Sequence, residues 1–139
     1  MTVSRADRVH SWVLRAGAGA IVAYWVEFFT SGRVRTSEDE AYLAFERAFL
    51  LADGYLAACA LVAARLLASG RTEAVGVGIA AGSAATFLGL MDLKYNLQQG
   101  NFANFTPATK LEAAIVASTL GLGTFTMLRL WKVCHRLPA

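Results

Sequence analysis

The stretch Tyr42–Leu67, YLAFERAFLLADGYLAACALVAARLL, decides how this chain is read. A single helix needs about 20 mostly apolar residues to cross the hydrocarbon core of a bilayer, and this run supplies them. It also holds Glu46, Arg47 and Asp53 inside that apolar run. Three more stretches of comparable length and character surround it: Val9–Phe29, Ala74–Leu93 and Leu111–Trp131. All four are continuous and Ala-rich, whereas the strands of a membrane barrel alternate apolar and polar residues over about ten positions. The expected fold is therefore an all-α integral membrane protein, with four transmembrane helices in an antiparallel bundle. Residues 1–139 form one membrane domain, with outer loops at 30–41 and 94–110.

Composition agrees. Of 139 residues, 56% are hydrophobic and 17% charged, against a charged share of about 25% in soluble domains. The net charge of +3 does not indicate nucleic acid, because the basic residues flank the apolar runs. Arg5, Arg8 and Arg15 precede or open the first span, Arg65 and Arg71 flank the second turn, and Arg129, Lys132 and Arg136 close the chain. The other two loops offer Arg33, Arg35, Lys94 and Lys110, the first pair offset by Glu38, Asp39 and Glu40. Cytoplasmic flanks retain positive charge, so both termini are expected in the cytoplasm of a multi-pass plasma-membrane protein, bacterial inner membrane being the natural setting. The first span has no short apolar core followed by a small-residue cleavage site and reads as a retained anchor.

Local signals refine the boundaries. Ser37 with Glu40, and Thr109 with Glu112, match the capping-box spacing, and Pro107 after Thr106 suits a helix opening. Cys59 and Cys134 form no CxxC pair, so neither a disulfide framework nor redox chemistry is expected. His10 and His135 sit in basic flanks and read as surface residues.

Residues three and four apart share a helix face. On that basis one stripe of the first span runs Gly17, Ala20, Tyr24, Glu27, and the second span in reverse runs Ala64, Ala60, Ala57, Asp53, Glu46, Tyr42. The third runs Gly78, Gly82, Ala85, Gly89, Asp92, Asn96, and the fourth offers Thr119, Gly123 and Thr126. The first three pass from small to acidic. Small residues let helix backbones approach, while Tyr24, Phe49 and Tyr95 add bulk in the acidic half, so the bundle should be tight at one end and hollow at the other.

An ionisable group at mid-membrane costs about 2.5–3.5 kcal/mol on insertion scales and normally faces the bundle or water. Asp53 lies sixteen residues past Ser37, about 24 Å along a helix, and its neighbours Leu50, Leu51, Leu56 and Ala57 give it no charge partner. Asp53 and Glu46 are thus the candidate counter-ions or acid–base pair. Glu27, Tyr24, Tyr42, Arg47, Phe49, Asp92, Tyr95 and Asn96 are the candidate ligand-binding residues. Competing structural roles are a protonated, hydrogen-bonded Asp53, a rim position for Glu27 and Asp92, a helix-start cap for Glu112, and a salt bridge from Arg47 to Glu27, Glu46 or Asp92. The amide- and aromatic-rich segment Lys94–Thr106 suits either a lid or an interfacial anchor through Phe102 and Phe105. Asn104-Phe105-Thr106 matches a glycosylation acceptor.

The acidic half lacks His and Cys and offers oxygen ligands only, so no transition-metal site is visible in it. A hard cation fits the donors, but no DxDxDG loop is present, so no metal is assigned. Nor is there a Walker loop, GxSxG elbow, HExxH, dinucleotide fingerprint or CxxCH, and no cofactor is expected. Three readings remain. The acidic, aromatic pocket binds or transports a small cationic or amphipathic ligand; or a buried carboxylate acts as general acid or base on a lipid or isoprenoid substrate; or the chain is an assembly subunit of a membrane complex. Membrane lipids, a small-molecule or lipid-like ligand, and a second copy or complex partner are the expected contacts, and nucleic acid is not. In layout alone, four spans with carboxylates in one half, the chain is similar to the emopamil-binding sterol isomerases and DoxX-type membrane proteins, a likeness that transfers no residue. Its most distinctive run is Gly89-Leu90-Met91-Asp92-Leu93-Lys94-Tyr95-Asn96. Glu46 with Glu112, and Glu27 with Asp92, occupy corresponding places in the two hairpins, as an internal repeat would place them.

Overall fold

A computed structural model describes residues 2–103 and 106–134. Asn104, Phe105, His135 and Arg136, weighed above, lie outside the described residues. The described residues are all-helical, without strands: α1 (Arg5–Thr30), α2 (Glu40–Ala68), α3 (Ala74–Gln99) and α4 (Pro107–Cys134), with a short 3-10 turn at Asn101–Ala103. Each of the four long helices is long and apolar enough to cross a membrane. Cys59 and Cys134 are both free.

The helix starts differ from the sequence expectation at two places. α2 opens at Glu40 because Asp39, rather than Ser37, accepts the N–H of Ala41 at 3.1 Å. Asp53 therefore stands about 20 Å along its helix rather than 24 Å. In α4 the cap is Thr106, whose hydroxyl accepts the Thr109 N–H at 3.2 Å, and Pro107 takes the first helical position, where its missing N–H costs nothing. Glu112 is thus more than a turn inside the helix and free of capping duty. α3 continues six residues past the expected Leu93, to Gln99. Gly100, at φ 66°, ends it in the left-handed conformation that glycine adopts without strain. What the sequence suggested as a long polar loop is largely two helix ends.

Neighbours in sequence pack on one another: α1 on α2, α2 on α3, α3 on α4. The α3–α4 contact is the tightest, and glycine makes it so. A Cβ on Gly82 would lie 2.7 Å from the Gly123 carbonyl oxygen and 2.9 Å from the Met127 nitrogen, while Gly123 is similarly crowded by Thr86 and Gly82. Leu130 covers Gly78, and Leu120 covers Gly89, so the three glycines of the α3 stripe all receive α4. Gly17 of α1 faces nothing within 4 Å; its place in the small stripe carries no helix contact. Alanines do the corresponding work on α2, where Ala57, Ala60, Ala63 and Ala64 are buried against Leu14, Ala18 and Ala81.

The ring of helices does not close. Among the described residues no Cα of α1 comes within 8 Å of a Cα of α4. Side chains bridge the two at one end. Arg129 of α4 donates to Asp7 at 2.6 Å and to His10 Nδ1 at 2.6 Å, and His10 Nε2 meets the Thr126 hydroxyl at 3.0 Å. Asp7 also completes a capping box with Ser4 at the start of α1. His10 is 2% exposed, which corrects its reading as a surface residue: a composition-based flank gives no hint that α4 supplies Arg129 and Thr126 as partners.

The apolar surface is inverted relative to a soluble fold. Trp12, Leu51, Tyr55, Phe87, Phe125 and Trp131 are all more than half exposed.

Gly82→Ala is expected to lower the unfolding midpoint in mild detergent, because overpacking against backbone costs about 1–3 kcal/mol. Gly17→Ala, with open space around it and a better helix former in place, should leave the midpoint unchanged or raise it. Equal midpoints for the two variants would contradict the close approach.

Candidate functional site

Away from the Arg129 bridge, all four helices line a cavity of about 360 Å³. Its walls are mostly apolar, through Ile21, Phe49, Leu56, Leu88 and Ile115. Four acids face it: Glu46 and Asp53 from α2, Asp92 from α3 and Glu112 from α4. Among the described residues no lysine or arginine lines it.

The helical register explains the convergence. Glu46 and Asp53 are seven apart on α2 and share its inner face, which continues through Ala57, Ala60 and Ala64. Asp92 is three residues beyond Gly89, the point where α3 takes Leu120 of α4. Glu112 sits on the α4 face that carries Ile115, Val116 and Thr119. Carboxylate oxygens of Glu46, Asp92 and Glu112 lie within 4.8 Å of one another.

Donors from other positions hold these acids. Tyr24 of α1 donates its hydroxyl proton to Glu46 at 3.0 Å. Trp25, the next residue, donates its indole N–H to Asp53 at 3.0 Å, so α1 satisfies both α2 acids from one turn. Asn96, 2% exposed, donates from Nδ2 to Glu112 at 3.2 Å and to the Asp92 side chain at 3.1 Å. Its own carbonyl oxygen accepts from Asn101 at 2.9 Å, which ties the 3-10 turn to the site. Every buried side-chain polar atom among the described residues has a partner.

On the loop side of the acids stand the aromatics. Tyr95 stacks on Phe45 at 4.0 Å between ring centroids and lies 6.4 Å from Tyr42. The buried Tyr42 hydroxyl accepts the Thr36 N–H at 3.1 Å, pinning the 31–39 connection over this end. Tyr42 and Asn96, each about one helical turn beyond the acids, are both buried. The exposed lining residues are Ala20 on α1 and Leu111, Ala114 and Ser118 on α4.

Of the candidate residues, Asp53, Glu46, Tyr24, Phe49 and Asp92 therefore line the cavity, and Asn96, Tyr42 and Tyr95 stand just behind it. Glu27 does not join them. Arg33 pairs with it at 3.0 Å and Ser31 donates to it, and its side chain is 39% exposed. Arg47 points outward and makes none of the ion pairs found among the described residues. Glu112 and Trp25 were missed as site residues. The spacing of Glu112 from Thr109 imitates a capping box, while Trp25 lies one position off the Tyr24 stripe and reaches Asp53 only because its ring is long.

Chemically the arrangement offers negative charge or shared protons from three close carboxyl groups, one phenol as donor, and apolar walls. The all-oxygen donor set suits a hard cation or an organic ammonium and not a soft metal. No protein-family model, no curated protein and no solved structure matches the chain.

Replacing Asn96 by Leu strips Glu112, Asp92 and Asn101 of a shared partner. The expected cost is about 1–3 kcal/mol of stability, read as a lowered unfolding midpoint, with Asn101→Ala costing less because it removes one bond. A wild-type midpoint for Asn96→Leu would show that the amide does not organise the acids.

Proposed function

We propose that this chain spans a bacterial inner membrane four times as an antiparallel bundle with both termini cytoplasmic, and that its cavity binds or transports a small amphipathic cation. The exposed apolar belt supports the membrane setting, since Leu51, Phe87, Phe125 and their neighbours need apolar surroundings. The basic flanks Arg5, Arg8, Arg71 and Lys132 support the orientation.

One observation carries the ligand: four acids from three helices face an apolar cavity that, among the described residues, no lysine or arginine lines. Clustered carboxylates away from water repel one another and lose hydration. A ligand ammonium relieves both penalties, and Tyr24, Phe49 and the aliphatic wall accept its apolar body. A bare divalent ion would use the oxygens of Glu46, Asp92 and Glu112 but leave the apolar wall without a purpose. Asp53 and Glu46 are the principal counter-ions, with Asp92 and Glu112 completing the negative end.

The same triad gives some support to acid–base chemistry on a lipid or isoprenoid. Three carboxyl groups within 4.8 Å can hold a proton donor beside a proton acceptor. Turnover separates the two readings, because a binder returns its ligand unchanged.

The test is isothermal titration of dodecylamine into the protein in lipid nanodiscs. Saturable binding is expected, weakened tenfold or more by Asp53→Asn or Glu46→Gln, a change worth about 1.4 kcal/mol or more. Glu27→Gln, on the exposed side, should bind as wild type does. Absence of saturable binding, or wild-type affinity in the Asp53 and Glu46 variants, would overturn the proposal.

A further inference from the structure

The cavity is bordered by two helices whose backbones do not approach each other. Among the described residues α1 and α4 keep their Cα atoms more than 8 Å apart, yet Ala20 and Ile21 of α1 and Ala114, Ile115 and Ser118 of α4 all line the same hollow. Ala20, Ala114 and Ser118 are exposed, so the hollow reaches the surface along this seam. Among the described residues the exposed lining positions of this seam, Ala20, Leu111, Ala114 and Ser118, are uncharged, and at its far end Asp7, His10 and Arg129 bridge it. On the loop side of the acids, buried Tyr42 and Asn96 fill the space instead.

We propose that the ligand enters sideways from the bilayer between α1 and α4, and that the recognised class is a single-chain amphiphilic amine. Its ammonium rests among Glu46, Asp53, Asp92 and Glu112, and its alkyl chain lies in the α1–α4 seam. This rests on the amphipathic-cation reading above and narrows it. The seam has the character a chain requires: small or aliphatic residues at the border, a wall of Ile21, Leu88 and Ile115 behind, and an opening toward the exposed apolar surface rather than toward a polar loop. The Arg129 bridge keeps the two helices from drifting apart while their other halves remain separated. A compact, water-soluble amine would satisfy the acids but leave the seam empty.

The experiment compares equilibrium binding of hexadecylamine and benzylamine to the wild-type protein, Ala114→Trp, Ser118→Trp and Glu46→Gln in nanodiscs, with unfolding midpoints confirming that each variant is folded. A tryptophan at either exposed border position fills the seam while leaving all four carboxyl groups in the protein. The expected result is a tenfold or greater loss of hexadecylamine affinity in both tryptophan variants, with a loss at least threefold smaller for benzylamine, and a loss of both amines in Glu46→Gln. Unchanged hexadecylamine binding in the tryptophan variants, together with a loss in Glu46→Gln, would overturn the seam assignment and leave the amine site standing. Equal loss of both amines in folded tryptophan variants would also overturn it. If the wild-type protein binds neither amine, the amphipathic-cation reading falls and the seam assignment falls with it.

Discussion

Carboxylates set well inside helices this apolar normally turn inward, against side-chain donors. Much of the architecture follows from meeting that requirement. Tyr24 and Trp25 project from a single turn of α1 onto Glu46 and Asp53 of α2, and Asn96 spans from Asp92 to Glu112 across α3 and α4. A buried acceptor without a donor costs about 1–3 kcal/mol, and more when charged, so these few side chains fix how the helices meet around the hollow. What they do not supply is positive charge. The acids are hydrogen-bonded but not neutralised, which distinguishes this end from the other, where Arg129 answers Asp7 directly.

The two ends are therefore built on different physics. Around Gly82 and Gly123 the α3 and α4 backbones meet with no room for a methyl group, and such close approach maximises van der Waals contact between the two helices. α1 has no such partner in α4. It is fastened to α2 through alanine contacts and the Ser11 hydroxyl bond to the Ala64 carbonyl at 2.8 Å, and to α4 through Asp7 and His10, which meet Arg129, Thr126 and Phe125. The cavity exists because the α1–α4 side stays open while the α3–α4 side closes.

Much of this was legible in the sequence, for a simple reason. A stripe such as Gly78, Gly82, Gly89, Asp92, Asn96 follows the 3.6-residue period, so a register argument finds the buried face of α3, and likewise of α2, without knowing the partner. Features that depend on a partner were not legible. Arg129 is indistinguishable from a flanking charge until His10 and Asp7 are beside it. Glu112 copies the spacing of a cap, and only Thr106 taking that role in the structure releases it. Glu27 lies on the predicted stripe of α1, but Ser31 and Arg33 offer nearer, exposed partners that a face-by-face reading ignores. Stripes predict which way a residue faces and not what it meets.

The most direct measurement maps carbodiimide adducts. Dicyclohexylcarbodiimide enters apolar surroundings and modifies carboxyl groups held there, and mass spectrometry of the treated protein in native-like lipid locates them. If the acids converge in one apolar hollow, adducts fall on Glu46, Asp53, Asp92 or Glu112, a first adduct suppresses the others, and Glu27 stays unmodified. Adducts on Glu27 and other exposed acids alone, or independent modification of all four cavity acids, would contradict the shared hollow.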